Sequence, residues 1–237
     1  MKKIALITGA SRGIGRALAV YFADQGYDLL LVARSADQLA SCRQALQASH
    51  EGIVIETLAT DFASPDVALR EVEALLARHT RLDVLVSSAG VLNAGHVEMD
   101  LAQLGTMVNI NLITTMAICN LVARKMKTQG RGEIYNIGSM AGLEPVGKIG
   151  AYAATKAAIV SYSQSLYQEL LPHGVRVCCL CPSVVDTDMT NDGRIPNELK
   201  IATGDLVKAV AFVRSLSAGC AMATLPIRCR VIDQEKG

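Results

Sequence analysis

The sequence of 237 residues lacks a large net charge of either sign, because 23 lysines and arginines nearly balance 22 aspartates and glutamates and leave a net charge of +1. Nucleic-acid binding relies on clustered cations that neutralise phosphates, so no nucleic-acid partner is expected. The sequence also lacks an apolar run of the roughly 18 to 20 residues that a membrane-spanning helix needs. Its most apolar stretch, residues 112–123, contains threonines and an asparagine, and no membrane association is expected.

Cysteine and histidine pairs with the spacing of a metal site are missing as well, so no metal is expected. The seven cysteines are an odd number and most lie in apolar segments, which favours free buried thiols over a disulfide framework. Free thiols suit a reducing compartment, and the expected location is the cytoplasm. The apolar start that ends at Ile7 is too short for a secretion signal, so the first residues are expected to belong to the mature protein.

No linker rich in proline and serine and no block of charge divides the chain, which predicts one domain over residues 1–237. Apolar runs rich in β-branched residues, typical of strands buried on both faces, alternate with helical patterns. The expected strands are 4–7, 29–32, 53–55, 82–86, 134–137, 175–180 and, at the end, 225–232. The expected helices are 14–25, 36–49, 66–79, 112–127, 152–171 and 205–216. This order predicts an α/β fold, a doubly wound, Rossmann-like parallel sheet that binds ligands beyond the carboxyl ends of its strands.

A glycine-rich turn, Thr8-Gly9-Ala10-Ser11-Arg12-Gly13-Ile14-Gly15, joins the first expected strand to the first helix. Its glycines let the backbone bend sharply and approach a ligand, and the helix N-terminus offers N–H groups to a pyrophosphate. A tight turn without a ligand is the alternative, and no Gly-Lys-Ser/Thr sequence follows that would indicate a P-loop. The turn predicts dinucleotide binding, with contacts at Gly9, Ser11, Arg12, Gly13, Ile14 and Gly15.

The end of the second strand, Val32-Ala33-Arg34-Ser35, lacks the acid with which NAD enzymes usually bind the ribose hydroxyls. Arg34 and Arg12 are instead suited to bind a 2′-phosphate through charge-assisted hydrogen bonds. Two solvated surface arginines are the alternative. We therefore predict NADP(H) as the cofactor in preference to NAD(H).

Tyr152 and Lys156 are four residues apart in an expected helix, so both project from one helix face. An ammonium about 4 Å from a phenol stabilises the phenolate, which suits the hydroxyl to proton transfer near neutral pH. Ser139 follows the strand 134–137 and precedes Tyr152 by thirteen residues. A tyrosine–lysine pair is usually structural when it stands alone, so its meaning depends on the motifs around it.

With these motifs the chain resembles a compact, single-domain short-chain dehydrogenase/reductase. The resemblance rests on the glycine-rich turn, Asn111, Ser139, the Tyr152-x-x-x-Lys156 pair and residues 182–187, in the family's order and spacing. It extends over about residues 3 to 190. Residues 8–16 and 187–190 are especially similar to bacterial 3-oxoacyl-acyl-carrier-protein reductases.

The resemblance implies a role for each matching residue. Tyr152 exchanges a proton with the substrate carbonyl oxygen, and Lys156 binds the nicotinamide ribose and assists Tyr152. Ser139 hydrogen-bonds the carbonyl oxygen, and Asn111 holds a water that links Lys156 to solvent. The implied cofactor contacts are Arg34, Asp61, Phe62, Ser87, Ala89, Gly90, Tyr152, Lys156, Pro182, Val185 and Thr187.

Some features depart from the family pattern or lie outside it. Ser87-Ser88-Ala89-Gly90 stands where the family usually has Asn-Asn-Ala-Gly, and the tail lacks a late glycine pair that often builds a subunit interface. A homodimer or homotetramer remains the expectation. Residues 190–204, with Gly193 and Gly204 as possible hinges, are interpreted as a lid, and His96 as a surface histidine or, alternatively, a substrate contact.

The expected function is reduction of a small-molecule ketone or aldehyde, a 3-oxoacyl group included, to an alcohol with NADPH. The alternative is a catalytically idle relative that keeps NADP(H) as a structural ligand or a redox signal. An epimerase of the extended type would need a larger C-terminal substrate domain, which this sequence does not contain.

Overall fold

A computed structural model describes residues 2–95 and 97–235, so His96 lies outside the described residues. Seven strands form one parallel sheet in the order β3-β2-β1-β4-β5-β6-β7. They are β1 Ile4–Thr8, β2 Asp28–Ala33, β3 Ile55–Ala59, β4 Val84–Ser87, β5 Gly132–Ile137, β6 Val175–Pro182 and β7 Thr224–Ile227. The strand order reverses between β1 and β4, and a crevice is expected there at the carboxyl ends. The predicted doubly wound fold is confirmed.

Helices cover both faces of the sheet because alternate residues of each strand point to opposite sides. Ile7 and Leu31 belong to one apolar core, and Leu6 and Leu30 belong to the other. The first core includes α1 Gly13–Asp24, α2 Ala36–Ser49 and α7 Thr203–Ser215. The second includes α3 Pro65–Ala77, α5 Thr115–Gln129 and α6 Gly150–Leu170. Two shorter helices, α4 Leu101–Val108 and α8 Arg230–Gln234, complete the set.

Two expected strands are misplaced in part. The third lies at Ile55–Ala59 and not at 53–55, and it is half exposed because it forms an edge of the sheet. An edge strand needs no continuous apolar run, which explains why the pattern located it poorly. The last strand ends at Ile227, which pairs with Pro182 at the end of β6, and residues 230–234 are helical.

The apolar stretch near residue 112 belongs to a longer helical run than expected. Helix α4, a π-helical turn at Asn109–Thr114 and α5 follow one another without a break. The run Leu101–Gln129 is long and apolar enough for a membrane span by length and composition, yet half of its most apolar window is buried in this fold. Ile118, Val122 and Met126 are fully buried beneath the sheet, as in a core helix.

The segment predicted as a lid is held at its carboxyl end. Lys200 Nζ donates hydrogen bonds to Thr190 O and Asn197 Oδ1, both at 2.8 Å. Ile201 forms a backbone bridge with Val185, and Gly204 lies in the first turn of α7. Among the two proposed hinges, only Gly193 therefore lies in a loop, with a φ of 78°. The movement of the segment stays a prediction.

All seven cysteines are unpaired, and every one except Cys220 is buried.

Candidate active site

The glycine-rich turn packs directly against the segment after β4. Gly9 has a φ of +66°, and a Cβ there would lie 2.8 Å from the backbone nitrogen of Ala89. A Cβ on Gly15 would collide with the carbonyl oxygen of Gly9. Thr8 Oγ1 accepts hydrogen bonds from the N–H groups of Ser88 and Ala89 at 3.2 and 3.3 Å. The turn therefore presents bare backbone at the carboxyl edge of the sheet.

A cleft of about 720 Å³ lies at this edge of the sheet. Most of the residues proposed as cofactor contacts line it, namely Gly9, Ser11, Arg12, Gly13, Ile14, Arg34, Asp61, Phe62, Ala89, Gly90, Tyr152, Lys156, Pro182, Val185 and Thr187. Ser139 lines it as well. Three of the proposed residues, Gly15, Ser87 and Asn111, are buried behind its surface.

Tyr152 and Lys156 lie in the first two turns of α6 and face the cleft together. Only 7% of Tyr152 and 6% of Lys156 is exposed. Lys156 Nζ lies 5.7 Å from the centre of the Tyr152 ring and donates a hydrogen bond of 2.8 Å to the carbonyl oxygen of Ile137. A buried ammonium beside a phenol is therefore present, as the spacing predicts.

Ser139 caps the short helical turn Met140–Gly142, because its Oγ accepts a 3.1 Å hydrogen bond from the N–H of Ala141. A Cβ on Gly142 would lie 2.6 Å from the Lys156 carbonyl carbon, so glycine is needed for this turn to pack against α6. Sequence reasoning missed Gly142, whose only signal is a glycine soon after the proposed serine. The close packing holds Ser139 against the helix that carries Tyr152.

Asn111 lies in the π-helical turn, a local widening that is frequent at functional sites. Its Oδ1 accepts from the N–H of Val91 at 2.8 Å, and its Nδ2 donates to Val91 O at 2.9 Å and to Thr155 Oγ1 at 3.2 Å. Thr155 Oγ1 in turn donates to Tyr152 O at 2.8 Å. Asn111 thus ties the backbone after β4 to the end of α6 that carries Tyr152 and Lys156, and the water relay stays a prediction.

The two arginines proposed for a 2′-phosphate differ in their surroundings. Arg12 Nη1 lies 2.8 Å from Asp188 Oδ2 in an exposed ion pair. Arg34 is exposed at the end of β2 and has no side-chain hydrogen bond or ion pair to the rest of the described chain. Of the two arginines, Arg34 is therefore the one whose N–H donors are free to bind a ligand.

The remaining proposed contacts come from segments after β3 and β6. Asp61 Oδ1 accepts from the N–H of Ala63 at 3.0 Å, and the carbonyl oxygen of Phe62 accepts from Thr114 Oγ1 at 2.8 Å. Thr187 covers the glycine-rich turn, since a Cβ on Gly13 would lie 3.1 Å from its Cγ2. These contacts fix the two outer walls of the cleft.

A doubly wound sheet with a glycine-rich turn at its crevice defines a nucleotide-binding α/β fold. Residues 3–197 match the family model described as short chain dehydrogenase, and the chain belongs to this oxidoreductase family. The resemblance drawn from the motifs is thereby confirmed.

Relatives extend over most of the chain. An uncharacterized oxidoreductase of Staphylococcus saprophyticus is 33% identical over 211 residues, which are 89% of this chain and 90% of the relative. A 3-oxoacyl-[acyl-carrier-protein] reductase of Escherichia coli is 31% identical over 224 residues, with 90% of both proteins covered.

Solved structures of similar fold include a beta-ketoacyl-[ACP] reductase from Bacteroides thetaiotaomicron, at 29% identity and a TM-score of 0.85 over 99% of both chains. An actinorhodin polyketide ketoreductase solved with NADPH reaches a TM-score of 0.84 at 24% identity, over 96% of this chain and 95% of that one. The latter shows similarity of fold.

Proposed function

We propose that this protein is an NADP(H)-dependent reductase that converts a ketone or aldehyde into an alcohol, with Tyr152 as the general acid. One observation carries the proposal. Tyr152, Lys156 and Ser139 line the same cleft as the bare backbone of the glycine-rich turn and the uncommitted Arg34. A phosphate-binding surface and a proton donor thus share one cleft.

The described residues fit a dinucleotide. Gly9, Gly13 and Gly90 bring backbone to the cleft without side chains, and a Cβ on Gly90 would lie 3.4 Å from Asn111 Oδ1 and 3.6 Å from Lys156 Nζ. The glycine-rich turn and the start of α1 would hold the pyrophosphate. The nicotinamide, when bound, supplies the two electrons and the hydrogen that the carbonyl carbon receives.

Two side chains, Tyr152 and Ser139, would then act on the carbonyl oxygen. Lys156 and Asn111 would support Tyr152. Tyr152 Oη donates the proton, and the Lys156 ammonium stabilises the phenolate that results, since the two groups lie in a buried, weakly screened site. Ser139 Oγ already accepts from the N–H of Ala141, so its own hydroxyl proton is available to the carbonyl oxygen. Asn111 positions Tyr152 through Thr155.

Arg34 supports NADP(H) in preference to NAD(H). Its guanidinium lines the cleft at the end of β2, and the side chain that follows, Ser35, is used as the cap of α2 because its Oγ accepts from Gln38 N. No carboxylate is present at the strand end to bind ribose hydroxyls. An arginine there matches a 2′-phosphate in charge and geometry.

The substrate class stays open between a 3-oxoacyl thioester and a smaller ketone. The thioester is favoured by the similarity to the E. coli 3-oxoacyl-[acyl-carrier-protein] reductase. A cytoplasmic homodimer or homotetramer is the assembly that we propose, and mass measurement in solution would test it.

The test is NADPH consumption at 340 nm with acetoacetyl thioesters, diketones and cyclic ketones. Tyr152→Phe should lower kcat about 10³-fold, since a positioned general acid contributes about 10² to 10⁴. Tyr167→Phe makes the same change later in α6, where Tyr167 packs against the apolar core, and should keep the wild-type rate. If the protein binds NADPH but does not consume it with any of these substrates, the result would support the alternative of a catalytically idle relative.

A further inference from the structure

The C-terminal tail lies outside the part of the chain that matches the family model, which ends at residue 197. The late glycine pair of the family is missing from residues 221–226, and after β7 the tail continues through Arg228 and Cys229 into α8. The side chains of this tail contact both flanks of the cleft.

Arg228 contacts the first flank. Its Nη2 donates a hydrogen bond to Glu144 Oε1, and its Nη1 donates to Asp233 Oδ1 at 3.2 Å. Both carboxylates raise the pKa of Arg228, with the Glu144 hydrogen bond as the larger cause. Arg228 therefore joins α8 to the loop of residues 143–149, which leads directly into α6 and Tyr152.

That loop is held in an unfavourable backbone conformation. Lys148 has a φ of +66°, the only positive value among the described residues other than glycine. A left-handed backbone conformation at a residue other than glycine persists only where neighbouring contacts hold it in place. The carbonyl oxygen of Lys148 accepts from the N–H of Gly95 at 3.1 Å, and the Arg228–Glu144 pair holds the other part of the loop.

The second flank is the segment predicted as a lid. Cys229 is buried, and its Sγ lies 3.5 Å from the carbonyl oxygen of Leu199. Three residues further on, Ile232 lines the cleft that also contains Tyr152, Val146 and Met189. Val231 and Ile232 both pack against the core on this side of the sheet, but only Ile232 also lines the cleft.

We propose that the tail is a specificity element, in which Ile232 limits the bulk of the ketone substituent and Arg228 positions the loop 143–149 through Glu144. This proposal rests on the proposed reductase function. Val146, Ile149 and Ile232 are apolar residues of the cleft lining. The contacts of Arg228 with Glu144 and Asp233 bring the tail to the loop that carries Val146 and Ile149, so the substituent that we expect there is a hydrocarbon group. Arg228 is not among the residues that line the cleft and would act through Glu144, so its proposed role is that of a positioning residue.

The first experiment does not depend on turnover. Amide hydrogen exchange of the full-length protein should be at least about threefold faster over residues 143–149 in Arg228→Ala, because an anchor of the loop is lost. Arg228→Lys keeps a cation beside both Glu144 and Asp233 and should stay close to the wild-type rate. Lys208→Ala removes a different exposed ion pair, Lys208–Asp205 on α7, and should leave the loop unchanged.

The second experiment compares kcat/KM for 2,3-butanedione and the bulkier 1-phenyl-1,2-propanedione. Ile232→Ala should raise the preference for the bulky ketone about tenfold, because a few methyl groups in an apolar pocket discriminate to about this extent. Ile232→Phe should lower the preference for the bulky ketone, and Val231→Ala should leave that preference unchanged. Arg228→Ala should raise KM for both ketones at a nearly constant kcat and NADPH Kd.

The outcomes separate the two proposals. If Ile232→Ala leaves the ratio of kcat/KM for the two diketones unchanged, the specificity role is overturned. If Arg228→Ala leaves amide exchange over residues 143–149 unchanged, the positioning role is overturned. If the wild type reduces a thioester or a cyclic ketone but neither diketone, the reductase function stands and the specificity role of Ile232 fails. If no variant reduces any of these substrates, the two fail together. The exchange pattern then still decides whether Arg228 holds the loop.

Discussion

Among the described residues, a cation lies beside tyrosine in two clusters, one at each end of the sheet. At the amino ends of the strands, Arg214 donates to Glu133 Oε2 at 3.0 Å, Tyr21 Oη at 3.2 Å and Tyr27 Oη at 2.6 Å. At the carboxyl ends, the Lys156 ammonium makes one hydrogen bond within the described residues, to a backbone carbonyl. The cation-to-ring distances are similar, 5.4 Å for Arg214 to Tyr27 and 5.7 Å for Lys156 to Tyr152.

The difference lies in how completely each cation is satisfied. Arg214 has a carboxylate partner and lies among aromatic rings, and the same carboxylate accepts from Tyr135 Oη at 2.7 Å. Burial raises the pKa of Tyr27 although the Arg214 guanidinium opposes that rise. A cation beside a tyrosine is thus structural where other protein groups use its donors. It indicates chemistry where the donors face a cleft.

Replacing each cation by methionine should separate the two roles. Lys156→Met should lower kcat about 10³-fold, because it removes the charge that stabilises the Tyr152 phenolate. It should not lower the free energy of unfolding, since a buried charge with one neutral acceptor is replaced by an apolar side chain of similar size. Steady-state kinetics and urea unfolding would check both. A loss of stability with full activity would reverse the assignment.

Arg214→Met should show the opposite pattern. It leaves Glu133 partly buried without its cation and removes one hydrogen-bond partner from each of Tyr21 and Tyr27, which should lower the free energy of unfolding by about 3 kcal/mol. The kcat of the folded enzyme should stay at the wild-type value. Urea unfolding measures the first quantity and active-site-normalised kinetics the second. A reduced kcat at full folding would show that the amino-end cluster acts on the site.

Arg34 and Arg12, the two arginines proposed to bind the cofactor, differ in the same way, because the donors of only one of them are already used by another protein group. Arg34→Ala should weaken NADPH binding about tenfold or more and leave NADH binding nearly unchanged, because a charge-assisted hydrogen bond contributes about 1.5–3 kcal/mol. Arg12→Ala should have a smaller effect, since Arg12 is already paired with Asp188. Fluorescence titration with both cofactors measures the constants. An equal loss for NADPH and NADH in Arg34→Ala would contradict the 2′-phosphate role.

The smallest effect concerns pH and a histidine outside both clusters. Asp24 Oδ1 lies 2.7 Å from His50 Nε2, and this hydrogen bond raises the pKa of His50 above its usual 6.5. The resulting stabilisation is fully present below about pH 6.5 and is lost as the pH rises through the folded-state pKa. Wild type should therefore lose slightly more stability than Asp24→Asn between pH 5.5 and 8.5. Identical pH profiles of the urea midpoint would exclude the contribution.

Much of the sheet followed from local pattern, and the exceptions have physical reasons. The helix at residues 36–49 begins and ends as expected, since Ser35 caps it and its apolar positions recur with helical spacing. The edge strand β3 was misplaced because a strand with one neighbour is not uniformly apolar. The end of β7 is decided by its pairing with β6, which its own residues do not encode.

The site shows a similar division. Tyr152 and Lys156 share a helix, so their separation of four residues already places them on one face. The contacts of Asn111 with Val91 and of Glu144 with Arg228 join residues 20 and 84 positions apart, and no local pattern records them. The pairing of Arg12 with Asp188 likewise depends on the path of the chain after β6.

By itself, the sequence determined the alternation of strands and helices, the bare backbone of the turn after β1 and the pairing of a phenol with an ammonium on α6. Those features depend on residue type and on separations of a few residues along the chain. They do not require contacts between distant segments. Only the tertiary structure decided which cations are satisfied, where the π-helical turn lies and that the tail reaches the cleft. Each of these requires segments far apart in the chain to meet, and that is a property of packing.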